Sequence, residues 1–316
     1  MPTAIRCKDL IKTYPGKPPV EAVRGIDLSV ESGECFGVLG PNGAGKTTTI
    51  EILEGLLKQT SGAVELFGMK WETEPNAIRQ RMGVSLQETQ LSERITVRET
   101  LALFRSFYQN GITVEEAMEL VSLTEKSNAW VKNLSGGQQQ RLAVATAVVG
   151  DPDILFLDEP TTGLDPASRR QLWDIIQSFK SRGKTVLLTT HYMEEAERLC
   201  DRVAIVDRGK KIAEGSPHEL ISSLGAEHVL EFTAAIDNTD EALDWLEHIH
   251  SVEKVDHKDQ QFRMTVSEPH TVLPTLFSGL SERQTNLTSL TTRHASLEDV
   301  FVELTGRQFE EDEVQN

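Results

Sequence analysis

Eight consecutive residues, Gly40-Pro41-Asn42-Gly43-Ala44-Gly45-Lys46-Thr47, fit the pattern G-x-x-x-x-G-K-[ST] in full. Glycines at these positions let successive backbone N–H groups converge on phosphate oxygens where a Cβ would block the approach. A helix opening at the lysine adds free N–H groups and the positive end of its dipole. Lys46 is then a point charge for β- and γ-phosphates and a catalytic candidate. The Thr47 hydroxyl is a ligand for a magnesium ion that keeps water and phosphate oxygens as its other ligands. Thr48, the next residue, is counted with the loop. Further along, Ile154-Leu155-Phe156-Leu157-Asp158-Glu159-Pro160 is an apolar run ending in two acids. Acids just past the carboxyl end of a parallel strand lie where open α/β sheets bind ligands. Neighbouring side chains on a strand point different ways, so the two acids have different tasks. Asp158 is assigned to the Mg²⁺ sphere, and Glu159 to the attacking water as general base or water-positioner.

These residues need strands and helices to hold them. Short runs rich in Val, Ile, Leu and Phe, bounded by Gly, Pro, Asp or Ser, predict strands over 4–10, 34–39, 63–67, 82–86, 153–157, 184–189 and 202–206. Helical patterns over 46–57 and 166–181 lie between them. Continuously apolar strands point to a sheet covered on both faces, hence an α/β core with parallel strands. Residues 94–149 break the alternation with helical patterns over 97–108, 114–123 and 136–149, and read as a helical insertion. A boundary is expected near Ser222–Gly225. Beyond it comes the order strand (228–234), helix (240–250), strand (252–256), strand (261–266), helix (270–281), strand (287–293), helix (297–304). That β-α-β-β-α-β order is the ferredoxin-like arrangement. The expected organisation is a nucleotide-binding domain over 1–222, a small α+β domain over 225–306 and an acidic tail over 307–316.

Composition excludes several classes. At 316 residues, with 38% apolar and 26% charged, the chain has the make-up of a globular protein of two domains. No apolar run approaches the ~20 residues that span a bilayer, and the first residues lack the apolar core of a signal peptide. Cys7, Cys35 and Cys200 form no C-x-x-C pair, which predicts three reduced thiols rather than a disulfide or zinc framework. The Asn133 and Asn286 N-x-S/T triplets are read as chance matches. Of the net charge of −17, residues 221–316 carry −13, from 19 acidic and 6 basic residues. So acidic a module argues against nucleic acid or anionic lipid as its partner. His248, His250 and His257 have no ligand-like company and are read as surface residues.

The run Leu134-Ser135-Gly136-Gly137-Gln138 resembles the signature sequence of the ABC (ATP-binding cassette) ATPases. Other segments resemble that family in the same order and spacing. Gln87, after a strand-like run, looks like the Q-loop glutamine, which the family sets against nucleotide and metal. Gly163-Leu164-Asp165-Pro166 looks like the D-loop, and His191, after Val186-Leu187-Leu188-Thr189-Thr190, like the switch histidine, a catalytic residue at the γ-phosphate. Tyr14 lies where the family keeps an aromatic on adenine. The resemblance covers roughly residues 4–220. It implies a P-loop NTPase core of the ABC type, with ATP and Mg²⁺ as cofactors. The Ser135–Gln138 end would meet ATP held by a second copy of the chain, or by a related ATPase subunit, in a head-to-tail dimer. It also implies a polytopic membrane permease as partner and a cytoplasmic place on the inner face of the cell membrane. Two further stretches, Ile95–Thr100 and His191–Glu197, resemble the exporters of drugs and other substrates, as does Ser296–Gly306; these carry a small C-terminal domain. Gln139 and Gln140 carry no information, because the family varies there.

Two other readings compete with the transporter ATPase. An ABC ATPase acting on chromosomes would need a long coiled coil between the phosphate loop and the signature run. Only 88 residues separate Lys46 from Ser135, without sustained heptads. One acting on ribosomes would usually carry two such cassettes, and one is present. A nucleotide-binding regulator without turnover would not need Lys46, Asp158, Glu159 and His191 together.

Overall fold

The computed structural model of the chain describes residues 2–87, 89–236 and 239–306. The first part of the chain runs β1 (Thr3–Tyr14), β2 (Val20–Glu31), β3 (Cys35–Leu39), α1 (Lys46–Leu53), β4 (Ser61–Leu66), α2 (Pro75–Gln80), β5 (Met82–Ser85), α3 (Val97–Arg105), α4 (Val114–Leu120), α5 (Gly136–Val148), β6 (Ile154–Asp158), α6 (Pro166–Ser181), β7 (Thr185–Thr190), α7 (Met193–Leu199), β8 (Arg202–Asp207) and β9 (Lys210–Gly215). Contacts divide the chain between Ser216 and Pro217. The second unit holds α8 (Pro217–Ser222), β10 (His228–Ala234), α9 (Thr239–Glu247), β11 (Val252–Lys258), β12 (Gln261–Val266), α10 (Pro269–Glu282), β13 (Leu287–His294) and α11 (Leu297–Thr305). The break falls ahead of Ser222–Gly225 because α8 packs against α11 of the second unit. The acidic stretch expected over 307–316 lies outside the described residues.

Two sheets make the first unit. The larger has the order β5-β6-β7-β3-β8-β9 and is parallel except for β9, which pairs antiparallel with β8 at the edge. Its central strands β3, β6 and β7 are buried at every position, as the continuous apolar runs require when both faces are covered. Helices α5, α6 and α7 pack on it. The smaller sheet, β2-β1-β4, is wholly antiparallel. Two strands read from sequence, 4–10 and 63–67, belong to this sheet and not to the parallel one. Their partner β2 escaped the reading because Gly25, at φ 85, and several register shifts break its alternation. Ile5, Leu10 and Ile26 of the small sheet share one core with Ile50 and Leu53 of α1 and with Phe36, Ile154 and Phe156 of the large sheet. The phosphate-loop helix is thus gripped between two sheets. It ends at Leu53, short of the expected 57, because the chain turns at Gly55 with φ 72.

Within the 94–149 stretch, α3 and α4 begin with capping boxes from Thr96–Glu99 and Thr113–Glu116, and both pack on α5. The second unit is a four-stranded antiparallel sheet of order β11-β12-β10-β13. Each β-α-β crossover there leaves a gap filled by an antiparallel strand, which is the split arrangement expected from the element order. Leu230, Phe232, Phe262 and Met264 of its strands share a core with Leu246, Val272 and Leu276 of its helices.

Phe156 is fully buried at the centre of the shared core. Phe156→Ala is expected to lower stability by about 3–5 kcal/mol, read from urea denaturation, because a ring is lost and the gripped core collapses only in part.

Candidate nucleotide site

The site begins where β3 ends. Gly45 is the N-cap of α1 with φ 98, a conformation a side chain rarely adopts. A Cβ there would also lie 2.4 Å from Ala22 O of β2, and one on Gly40 would lie 2.2 Å from Val206 O of β8. The loop is therefore wedged between the two sheets, and glycine is needed at both points. Lys46 is 4% exposed, and its Nζ donates to Gly40 O at 2.7 Å and to Pro41 O at 3.1 Å. Burial pushes its pKa down, while Glu159 and Asp158 oppose that push.

The two acids part company as the strand geometry requires. Asp158, the last residue of β6, is buried and accepts from Thr189 Oγ1 of β7 at 2.5 Å. Burial raises its pKa against that hydrogen bond. Glu159 stands just past the strand with φ 44, a backbone that costs a non-glycine residue about 1 kcal/mol or more. Its N–H is held by Thr189, with Oγ1 at 3.0 Å and O at 3.2 Å. That bend turns its carboxylate into the cavity. Oε2 accepts from Gln87 Nε2 at 3.3 Å and Thr162 Oγ1 at 3.2 Å, and lies 3.1 Å from His191 Nδ1. Oε1 is 3.7 Å from Lys46 Nζ. The His191 hydrogen bond first, and the Lys46 charge, outweigh burial and hold its pKa below the usual range.

A cavity of about 470 Å³ gathers Tyr14, Asn42, Gly43, Gly45, Lys46, Thr47, Thr48, Gln87, Glu159 and His191 on one surface. Tyr14 Oη lies 3.4 Å from Thr48 Oγ1, which fixes its ring beside the helix N-terminus. Gly40, Pro41 and Ala44 form the loop behind this surface, and Asp158 is reached through Thr189. Ser135, Gly136, Gly137, Gln138 and Asp165 do not line the cavity. Ser135 and Gln138 close a capping box on α5, and Asp165 caps α6 by accepting from Ala167 N and Ser168 N. The two helix starts adjoin, since a Cβ on Gly137 would lie 2.5 Å from Ser168 Oγ. Val20, Ala22 and Thr162 also line the cavity, and Thr189 supports both acids. Sequence reasoning missed all four; the one signal available was that the buried strand β7 ends in two threonines, Thr189 and Thr190.

The family model for ABC transporters matches residues 23–162, and one for the C-terminal domain of DrrA1-3-like ATP-binding proteins matches 215–305. A model of an AAA domain, a putative AbiEii toxin, matches 131–195. Nod factor export ATP-binding protein I of Burkholderia lata is 41% identical over 298 residues, spanning 92% of this chain and 93% of that protein. Its counterpart in Rhizobium etli is 39% identical over 98% of this chain and 95% of that protein. The chain belongs to the ABC transporter ATP-binding family. An ATP-binding subunit of an ABC transporter has the same fold over 70% of this chain and 93% of its own, with TM-score 0.63 and 27% identity. A dimeric ATP-binding cassette in a post-hydrolysis state with ADP and Pi follows with TM-score 0.62 and 27% identity, over 67% of this chain and 98% of its own. This ABC protein accordingly binds ATP and is an ATPase.

Among the described residues, one acid is buried with both carboxyl oxygens unpartnered. Glu54, at the end of α1, is 4% exposed and neither carboxyl oxygen has a hydrogen bond. Burial, then the charges of Asp158 and Glu51, push its pKa up to about 8. A folded-state pKa raised above the ordinary value of about 4.3 contributes stability at low pH that is lost as pH rises toward 8. The melting midpoint of the wild type is therefore expected to fall relative to Glu54→Gln between pH 5 and 9, measured by thermal denaturation across that range.

Proposed function

We propose that this ABC ATPase powers export through a separate polytopic membrane subunit, working as a head-to-tail dimer with a second copy of itself or a related ATPase subunit. The observation that carries the reading is the convergence of Lys46, Gln87, Thr162 and His191 on the one carboxylate of Glu159. The names of the relatives, as exporters of Nod factor, and the dimeric solved cassette support the export and the dimer. Among the described residues no helix is long and apolar enough to cross a membrane, so the passage itself falls to a partner. That partner would keep the ATPase on the inner face of the cell membrane.

In this reading Tyr14, with Val20 and Ala22, receives the base, and Asn42 to Thr48 receive the phosphates. Lys46 leaves the carbonyls of Gly40 and Pro41 for the β- and γ-phosphates, exchanging neutral acceptors for charged ones. Glu159 orients the attacking water and takes its proton, and His191 holds the carboxylate and meets the γ-phosphate side. No group of three or more His, Cys, Asp or Glu fit for a metal occurs among the described residues. The oxygens of Thr47, Asp158 and Gln87 would hold a Mg²⁺ shared with phosphate and water, which would neutralise charge on the transferring group. Ser135–Gln138 and Asp165, which do not line this cavity, would complete the site of the partner copy. Leu103, Phe107 and Trp130, exposed by 49%, 62% and 46%, give the α3–α5 insertion an apolar surface for the membrane subunit.

Glu159→Gln is expected to slow ATP turnover roughly 10²- to 10⁴-fold while nucleotide still binds. It should also accumulate an ATP-bound dimer on size exclusion; turnover at the wild-type rate would remove the assigned role. A pull-down from detergent-solubilised membranes is expected to recover a polytopic protein. The triple variant Leu103→Ser, Phe107→Ser, Trp130→Ser should lose that protein with its ATPase rate retained.

A further inference from the structure

Glu195 is a buried acid that the mechanism above does not use. It lies in the first turn of α7, is 0% exposed, and accepts from Trp173 Nε1 of α6 at 2.9 Å. Burial raises its pKa, and the Thr190 hydroxyl, Trp173, the Thr161 hydroxyl and the charge of Arg169 offset that push only in part. Each of these neighbours belongs to a segment that carries a functional residue. Thr190 precedes His191 directly, and its Oγ1 accepts from Tyr192 N at 2.9 Å. Thr161 is two residues past Glu159 and 0% exposed. Trp173 and Arg169 lie on α6, the helix capped by Asp165.

A second tie joins the same elements. The Arg169 guanidinium lies 4.5 Å from the centre of the Tyr192 ring, and that ring lies 4.1 Å from the ring of His191. The tie is firm on the α6 side and slack on the other. Oε2 of Glu195 and Oγ1 of Thr161 are both buried without a hydrogen bond, although that hydroxyl is among the groups that steady the carboxylate. An acid fully out of water, with an acceptor oxygen still unfilled, is costly to keep for packing alone.

Building on the roles given above to Glu159 and His191, we infer that Glu195 is a positioning residue: through Trp173 it ties the segment carrying His191 to helix α6 and so sets the geometry of the hydrolytic site from behind. Movement of the Asp165 end of α6 then reaches His191 through Trp173–Glu195 and Arg169–Tyr192. The carboxylate takes no part in proton transfer, since it touches neither the cavity nor the carboxylate of Glu159.

Two variants cut the tie on opposite sides. Glu195→Gln keeps an acceptor for Trp173 but replaces the buried, unfilled carboxyl oxygen with an N–H₂ group. Trp173→Phe keeps an aromatic six-membered ring but removes the N–H together with the five-membered ring, at a site only 3% exposed. With full-length protein, kcat and KM for ATP, affinity for a fluorescent ATP analogue and the melting midpoint are measured for wild type, both variants, the double variant and Glu159→Gln. Each single variant is expected to lower kcat roughly ten- to a hundredfold, the loss typical of small misplacement. KM and affinity should stay near wild type, as should the melting midpoint of Glu195→Gln, while Trp173→Phe loses some stability to the void it leaves. The double variant should be no slower than the slower single, because both cut one unit. Wild-type kcat in Glu195→Gln beside a slow Glu159→Gln overturns the inference alone. So does a loss of kcat that merely tracks the melting midpoint. Wild-type turnover in Glu159→Gln overturns the reading on which the inference rests.

Discussion

The rest of the site depends on where the carboxylate of Glu159 is held. Four groups from four segments meet it: Lys46 from the start of α1, Gln87 after β5, Thr162 after β6 and His191 after β7. A carboxylate this buried is tolerable only because it is surrounded by donors and a cation. The arrangement is self-consistent: the acid offsets the burial of Lys46, and Lys46 with His191 keeps the acid ionised. An ionised, oriented carboxylate is what a water-activating residue needs, so the stability argument and the chemical one require the same contacts.

Holding that carboxylate takes a strained backbone and a support beneath it. Thr189 supplies the support with both its side chain and its carbonyl, securing the N–H of Glu159 while its hydroxyl donates to Asp158. One threonine between two acids therefore fixes their opposite directions. Strand β7 can do this because it lies between β6 and β3, in register with both. The phosphate loop is fixed by the same sheet from its other side, where β8 meets Gly40 and the small antiparallel sheet meets Gly45. The loop is thus held by two sheets sharing one core around α1 as well as by its own bonds.

The two helix starts at Ser135 and Asp165 adjoin each other but stay out of the cavity. Such a surface of capped, polar helix ends beside exposed glycines suits contact with another nucleotide-bearing copy. The four-stranded sheet of the second unit has its own core and shares none of these residues. Its strand order follows from its element order, because two crossovers and one hairpin leave few ways to pair four strands.

The sequence by itself determined the chemistry and the kind of scaffold. Gly40 to Thr47, the Asp158–Glu159 pair and the Leu134–Gln138 run are contiguous, and each needs only local geometry, a strand end or a helix start, to have meaning. Continuous apolar strands announced a parallel sheet for the same local reason. What adjoins what was decided by tertiary structure alone. Residues such as Val20, Ala22, Thr162 and Thr189 carry no pattern of their own, and become part of the site only when β2 crosses the loop and β7 pairs beside β6. The small sheet was hidden because Gly25 and the register shifts of β1–β2 erase the alternation by which half-buried strands are read. Nothing in the sequence marks Glu54 or Glu195 as buried. Only packing, which takes a side chain out of water whatever its type, could make them so.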